Sequence, residues 1–164
     1  MANSSVNAEP EFEKFAVGQP VSRLEDPMLL RGDGIYTDDV GLDGQAYAYV
    51  FRSPYAHGVI RNLDVSQAKS APGVLAVLTA ADMEDAGANL LFCRTDKVSR
   101  DGSPMIKPER PCLAKGKVRY RGEAIAVVVA ESIAEAKDAS ELIELDIDVL
   151  PAVTDSRKAL ADGA

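Results

Sequence analysis

Gly122-Glu-Ala-Ile-Ala-Val-Val-Val-Ala130 is the most continuous apolar run in the chain. From Ala124 onward it is rich in valine and carries no charge, which predicts a central strand covered on both faces. Directly after it, Ser132-Ile-Ala-Glu135 reads as a capping box that opens a helix. That helix places Ile133, Ala136, Ala139 or Ser140, and Ile143 on one buried stripe, with Glu135, Lys137, Asp138 and Glu141 mainly outside it. Glu144-Leu-Asp-Ile-Asp-Val-Leu150 then alternates. Leu145, Ile147 and Val149 face in, and Glu144, Asp146 and Asp148 form a solvated acidic face. Pro151 ends the strand, and Asp155 or Ser156 caps a last helix to Leu160.

Upstream, Gln45-Ala-Tyr-Ala-Tyr-Val-Phe-Arg52 alternates small or aliphatic residues with aromatics. Both of its faces are apolar, so it reads as an interior strand. Ser53-Pro-Tyr-Ala-His57 is a turn and Gly58-Val-Ile-Arg-Asn-Leu63 a second strand. Asp64 and Gln67 form a further capping box before a short helix stopped by Pro72-Gly73. Val74-Leu-Ala-Val-Leu78 is another strand, and Thr79 with Asp82 caps a helical turn or two. Residues 84–114 show little periodicity, and a loop of that length in a compact domain is functional or mobile. Lys115 to Tyr120 leads into the next strand. The sum is an α+β domain with a mixed sheet of five to six strands and helices packed on one side.

Residues 1–16 are polar and acidic and read as a disordered tail, or one that orders only against a partner. Residues 17–44 read as an extended arm preceding the domain of residues 45–164. Within it, Gly18-Gln-Pro-Val-Ser-Arg-Leu-Glu-Asp-Pro-Met-Leu-Leu-Arg-Gly-Asp-Gly-Ile-Tyr-Thr-Asp-Asp39 is too charged, and too interrupted by proline and glycine, for a core element. Its leucines are more numerous than a solvated tail needs. Arg23, Leu24, Asp26, Leu30 and Arg31 are therefore the candidate interface residues. The two arginines suit forked bonds to carboxylates or carbonyls, and the leucines supply area to bury.

The 26 acidic and 18 basic residues leave a net charge of −8, which argues against binding to nucleic acid or an anionic membrane. No apolar run approaches the roughly 20 residues that span a bilayer. The N-terminus has neither a basic nor an apolar segment of a secretory signal, so a cytoplasmic location is expected. Cys93 and Cys112 fit neither a redox pair nor a zinc ribbon, and two thiols cannot hold an iron–sulfur cluster that needs about four. Both are expected to be reduced.

Four further landmarks join the arm: Ser53-Pro-Tyr-Ala-His-Gly-Val-Ile-Arg-Asn-Leu-Asp64, Ala71-Pro-Gly-Val-Leu-Ala-Val-Leu-Thr-Ala-Ala-Asp82, Tyr120-Arg-Gly-Glu-Ala-Ile-Ala-Val-Val-Val-Ala-Glu131 and Asp148-Val-Leu-Pro-Ala-Val-Thr-Asp155. Together and in this order they resemble the N-terminal α/β hammerhead domain of the molybdopterin-binding large subunit of the xanthine dehydrogenase, aldehyde oxidase and carbon monoxide dehydrogenase family. The resemblance covers roughly residues 18–160. It implies membership of an oxidoreductase that hydroxylates a carbon centre, or oxidises carbon monoxide, with oxygen from water. It also implies a molybdopterin cytosine dinucleotide-type cofactor, [2Fe–2S] clusters and FAD in the whole complex. The implied partners are the remainder of the large subunit, an iron–sulfur subunit and an FAD subunit. No position matches the family's cofactor-binding or catalytic motifs, so no catalytic, cofactor or metal residue is assigned and the chain alone is expected to be inactive. It is expected to be a fragment or a split-gene piece of a longer subunit. The rival reading is a free-standing binding or assembly module of the same fold.

Other chemistry-bearing residues have plainer readings. Gly32-Asp-Gly34 lacks the third glycine and the flanking elements of a dinucleotide site. His57 beside its turn reads as a structural hydrogen-bonding residue. Glu123 reads as a turn residue at the start of the strand. The acidic face at 144–148 has its carboxylates about 7 Å apart and no loop to gather them. Arg94, Lys97, Arg100, Lys107 and Arg110 concentrate basic charge in the 84–114 loop. That loop is either an exposed insertion or a contact with the rest of the large subunit.

Overall fold

The computed structural model describes residues 23–88, 90–91 and 93–162. The expected tail at 1–16, and the arm up to residue 22, lie outside the described residues. The chain divides between Leu42 and Asp43 into two compact units. The first contains α1 (Asp26–Leu30) and a 3₁₀ turn at Thr37–Asp39. The second runs β1 (Tyr47–Arg52), β2 (Gly58–Asp64), α2 (Ser66–Lys69), β3 (Val74–Leu78), α3 (Ala80–Asp85), β4 (Lys117–Val118), β5 (Ala124–Ala130), α4 (Ile133–Ser140), β6 (Glu144–Val149) and a 3₁₀ turn at Lys158–Leu160.

The α+β class and six strands appear as expected, but arranged as two three-stranded sheets instead of one mixed sheet. One has the order β1-β5-β3 and the other β4-β2-β6, and every pairing is antiparallel. A hydrophobic pattern reports which face of a strand is covered, not which strand lies beside it. Both hydrogen-bonding edges of β5 are occupied, by β1 and β3, so β2 and β6 cannot extend its sheet.

A bulge in β5 couples the two sheets. Phe51 lies opposite Ala126 and Arg52 opposite Ala124, which leaves Ile125 as the extra residue. Ile125 and Ala126 are consecutive yet both fully buried. Ala126 joins Ala68, Val77, Val128, Ala130, Ala136, Ala139 and Ile143 in the core between the first sheet and its helices. Ile125 joins Ala114 and Val118, against Ile60, Leu63, Leu145 and Ile147 of the second sheet.

β1 pairs only with β5 and is an edge strand, not the interior strand its apolar pattern suggested. Its aromatic face explains the pattern: Tyr49 and Phe51 pack on the main core, whereas Ala48 on the other face is exposed. On α4 the buried stripe begins one turn later than expected. Ala136, Ala139 and Ser140 are buried, as is Ile143 beyond the helix, but Ile133 remains 42% exposed.

The caps are where composition is most directly converted into structure. Ser132 accepts from the Glu135 amide at 3.2 Å and donates its hydroxyl to Glu135 Oε2 at 2.7 Å. The Glu135 carboxyl lies over Gly73, where an added Cβ would stand 2.2 Å from the carboxyl carbon. Gly73 also has φ +72°, and its carbonyl accepts from the Glu131 amide at 2.9 Å. The start of α4 is thereby seated on the turn between α2 and β3. Asp64 differs from expectation: the α2 N-cap is Val65, and Asp64 Oδ1 accepts from Ser66 N–H at 2.8 Å in an Asx turn. The expected last helix is a single 3₁₀ turn, its first amides donating to the Asp155 carbonyl.

Chemical denaturation tests this packing. Ile143→Ala should cost about 2–5 kcal/mol by opening a cavity in the main core. Gly73→Ala should cost more than the ~1 kcal/mol of a left-handed alanine, because the Glu135 carboxyl must also move. On a Glu135→Ala background the Gly73→Ala cost should fall to that strain alone. Equal costs in both backgrounds would show that Glu135 does not press on Gly73.

Candidate interface

The first unit is locally determined by proline, glycine and short-range hydrogen bonds. Glu25 is the N-cap of α1, Pro27 stands in its first turn where a missing N–H is harmless, and the Met28 and Leu29 amides donate to the Glu25 carbonyl at 3.0 Å. The helix ends at once. The Gly32 amide donates to the Leu29 carbonyl at 3.1 Å and the Asp33 amide to the Met28 carbonyl at 3.0 Å. These two bonds, with Gly32 at φ +76°, make a Schellman stop. The segment read as extended is therefore partly a capped single turn of helix. Charge density and two prolines hid it, because one turn has too few positions to show a period.

The five sequence-derived interface residues fall on this turn with different environments. Arg23 donates its backbone N–H to Asp26 Oδ2 at 3.3 Å, and Arg31 Nε donates to Asp33 Oδ2 at 3.0 Å. Leu24 and Leu30 are 97% and 87% exposed. Asp26 thus accepts a bond from the chain just before α1 and Arg31 pairs locally, while the leucines remain as uncovered apolar area. Ile35, Tyr36 and Leu42 are also exposed and were not singled out from sequence. Gly34 lies close beside them, and a Cβ there would stand 2.6 Å from Leu29 Cδ2, so that methyl would have to swing aside. With Glu25, Met28, Leu29, Ile35 and Tyr36 it lines a shallow cavity of about 130 Å³.

In the second unit the chemistry-bearing side chains serve the fold. Glu123 is buried, and its Oε2 accepts from the Arg119 amide at 2.5 Å. Its carbonyl accepts from the Ser53 amide at 2.8 Å, and Arg52 Nη1 donates to the Gly122 carbonyl at 2.9 Å. Glu123 thus ties the turn before β5 to the end of β1. His57 Nδ1 lies 2.7 Å from the Pro151 carbonyl, and the His57 carbonyl accepts from the Leu150 amide. On β6, Asp148 is paired with Arg61, whose Nε donates at 2.6 Å. Cys93 and Cys112 are both thiols. Among the described residues no three His, Cys, Asp or Glu side chains are gathered to hold a metal ion. Nor is any described helix long and apolar enough to cross a membrane.

The family model for the aldehyde oxidase and xanthine dehydrogenase a/b hammerhead domain matches residues 31–151. The chain belongs to this family. It is 39% identical over 154 residues to the nicotine 6-hydroxylase large subunit of Paenarthrobacter nicotinovorans, covering 94% of this chain and 18% of that one. It is 38% identical over 158 residues to the carbon monoxide dehydrogenase large chain of Afipia carboxidovorans, covering 96% and 18%. Among solved structures, quinoline 2-oxidoreductase from Pseudomonas putida 86 superposes with a TM-score of 0.72 at 38% identity, covering 88% of this chain and 18% of that one. The hammerhead chain is thus an N-terminal portion of a molybdenum-hydroxylase large subunit, and spans a fifth or less of the length of the relatives it matches.

One carboxylate of the hammerhead domain has a clear pH signature. Asp82 Oδ2 accepts from the Thr79 hydroxyl at 2.6 Å and the Thr79 amide at 2.7 Å, and these bonds lower its pKa, the hydroxyl contributing most. A lowered native pKa stabilises the fold above the unfolded value of about 3.9, and that stability is lost as pH falls through the native value. Asp82→Asn should therefore lower stability at pH 7, and lower it less at acid pH as the native carboxyl takes up its proton. Denaturation at the two pH values checks this, and an equal loss at both would assign the effect to packing.

Proposed function

We propose that this chain is a non-catalytic domain that packs against the molybdopterin-bearing domains of its large subunit and helps shape the approach of substrate. The observation that carries the reading is the asymmetry of coverage. Relatives match nearly the whole of this chain, but the match occupies only 18% of their own length. The exposed apolar residues of the arm, Leu24 and Leu30 foremost, support a surface that is completed by more protein.

The family implies a molybdopterin cytosine dinucleotide-type cofactor, [2Fe–2S] clusters and FAD. Among the described residues no three potential metal ligands are gathered, so they offer no donor set for a [2Fe–2S] cluster. In the proposed assembly those groups belong to the rest of the large subunit and to iron–sulfur and FAD subunits. The whole enzyme would be an oxidoreductase acting on a carbon centre or on carbon monoxide, in the cytoplasm. Arg23 and Arg31 would add charge-assisted bonds at the rim of the arm, beside an apolar patch formed by Leu24 and Leu30.

Amide exchange tests the assembly. In the chain alone, residues 23–39 should exchange faster than Ala124–Ala130 of β5, and in the assembled large subunit the arm should slow. Leu24→Ser with Leu30→Ser should weaken association by roughly a hundredfold to ten-thousandfold, from roughly 1.5–3 kcal/mol per leucine no longer buried. An arm as protected as β5 in the chain alone, and unchanged on assembly, would overturn the proposed role.

A further inference from the structure

The segment read from sequence as an aperiodic loop has a definite internal order. The Leu91 amide donates to the Arg110 carbonyl at 2.8 Å, the Met105 amide to the Lys97 carbonyl at 3.0 Å, and the Ser99 amide to the Ser103 carbonyl at 2.9 Å. Val98 and Pro104 form an antiparallel bridge. Asp101 Oδ1 accepts from the amide and hydroxyl of Ser103, and Gly102 at φ +83° closes the tip. Lys107 and Asp96 are joined by an ion pair across the two arms. Residues 97–105 are thus the paired tip of a two-armed ribbon whose arms meet again at Leu91 and Arg110.

The register divides its side chains. Residues opposite one another across an antiparallel pair share a face, and neighbours along a strand alternate. Val98, Pro104 and Ile106 therefore lie on one face, and Met105 on the other. Exposure follows the same division: Val98 is 71% and Ile106 89% exposed, whereas Met105 is half-buried. An isolated two-armed ribbon is marginal in water, and one that turns a valine and an isoleucine outward is under-stabilised for its surroundings. Charge adds direction. Residues 91–110 hold five basic and three acidic side chains in a chain of net charge −8. Of the five, only Lys107 makes an ion pair among the described residues.

We propose that the outward face of this ribbon docks into an acidic-rimmed apolar groove on the remaining chain of the large subunit. Val98 and Ile106 would be buried on its floor, with Arg94, Arg100 and Arg110 paired to carboxylates at its rim. The proposal rests on the reading above that this chain is one domain of such a subunit. It commits to that occupant because more than four-fifths of the relatives' length lies outside the match, and because a surface complementary to unpaired cations is acidic. A second copy of this chain would bring identical basic ribbons together in a symmetric contact, which is unfavourable.

The test measures amide exchange at Ser99 and Met105 in the chain alone and in the complete large subunit, with residues 23–39 followed in the same experiment. Assembly should slow the ribbon amides at least about tenfold. Arg94→Glu with Arg100→Glu should restore fast exchange in the ribbon at low salt while β5 stays protected, and so should Val98→Ser with Ile106→Ser. Raising the salt should shrink the difference between the charge-reversed and unaltered subunits. If the arm slows on assembly but the ribbon does not, the ribbon proposal fails and the assembly reading stands. If neither slows, both fail. Protection in the chain alone that rises with concentration, with a dimer in sedimentation, would assign the face to a second copy and overturn the proposal.

Discussion

The hammerhead domain depends on the bulge at Ile125. β5 has hydrogen-bonding partners on both edges, so the second sheet cannot be built as its continuation. At the bulge the consecutive side chains Ile125 and Ala126 enter two different cores, Ala126 beneath α4 and Ile125 between the sheets. One strand thereby orients both layers. The Glu123 carboxylate and carbonyl fix the turn immediately before the bulge, from the Arg119 and Ser53 amides. A buried carboxylate here has a structural purpose: it accepts a bond that would leave a backbone amide unsatisfied if it were lost.

Much of this was legible. The valine run, the alternation of Glu144–Leu150 and the Thr79 and Ser132 caps are local signals, and each lies where the pattern placed it, except that Val149 at the end of β6 is exposed instead of facing in. What failed was information of another kind. The edge position of β1 and the division into two sheets are choices of neighbour, and periodicity carries no statement about neighbours. The α1 turn and the 91–110 ribbon are too short or too polar to show a period. They are held instead by backbone bonds and single glycines, Gly32 and Gly102. The five interface residues were chosen by composition. The structure separates them by role: Asp26 and Arg31 are engaged within the arm, and Leu24 and Leu30 are uncovered.

The character of the core explains why so much apolar surface remains outside it. Five of the eight residues in the main cluster are alanines: Ala68, Ala126, Ala130, Ala136 and Ala139. Alanine lets α2 and α4 approach the sheet closely, yet each buries little area, and the largest fully buried side chains are only Ile125, Val118 and Val128. A domain of this size already buries a modest fraction of its surface on folding. A thin, alanine-lined core gives a well-defined shape with limited stabilisation. Leu24, Leu30, Val98 and Ile106 meanwhile lie in the arm and the ribbon, outside both core clusters. Their apolar area adds stability only when another surface covers it. In such a domain, folding specifies the frame and leaves apolar area whose burial waits on a covering surface.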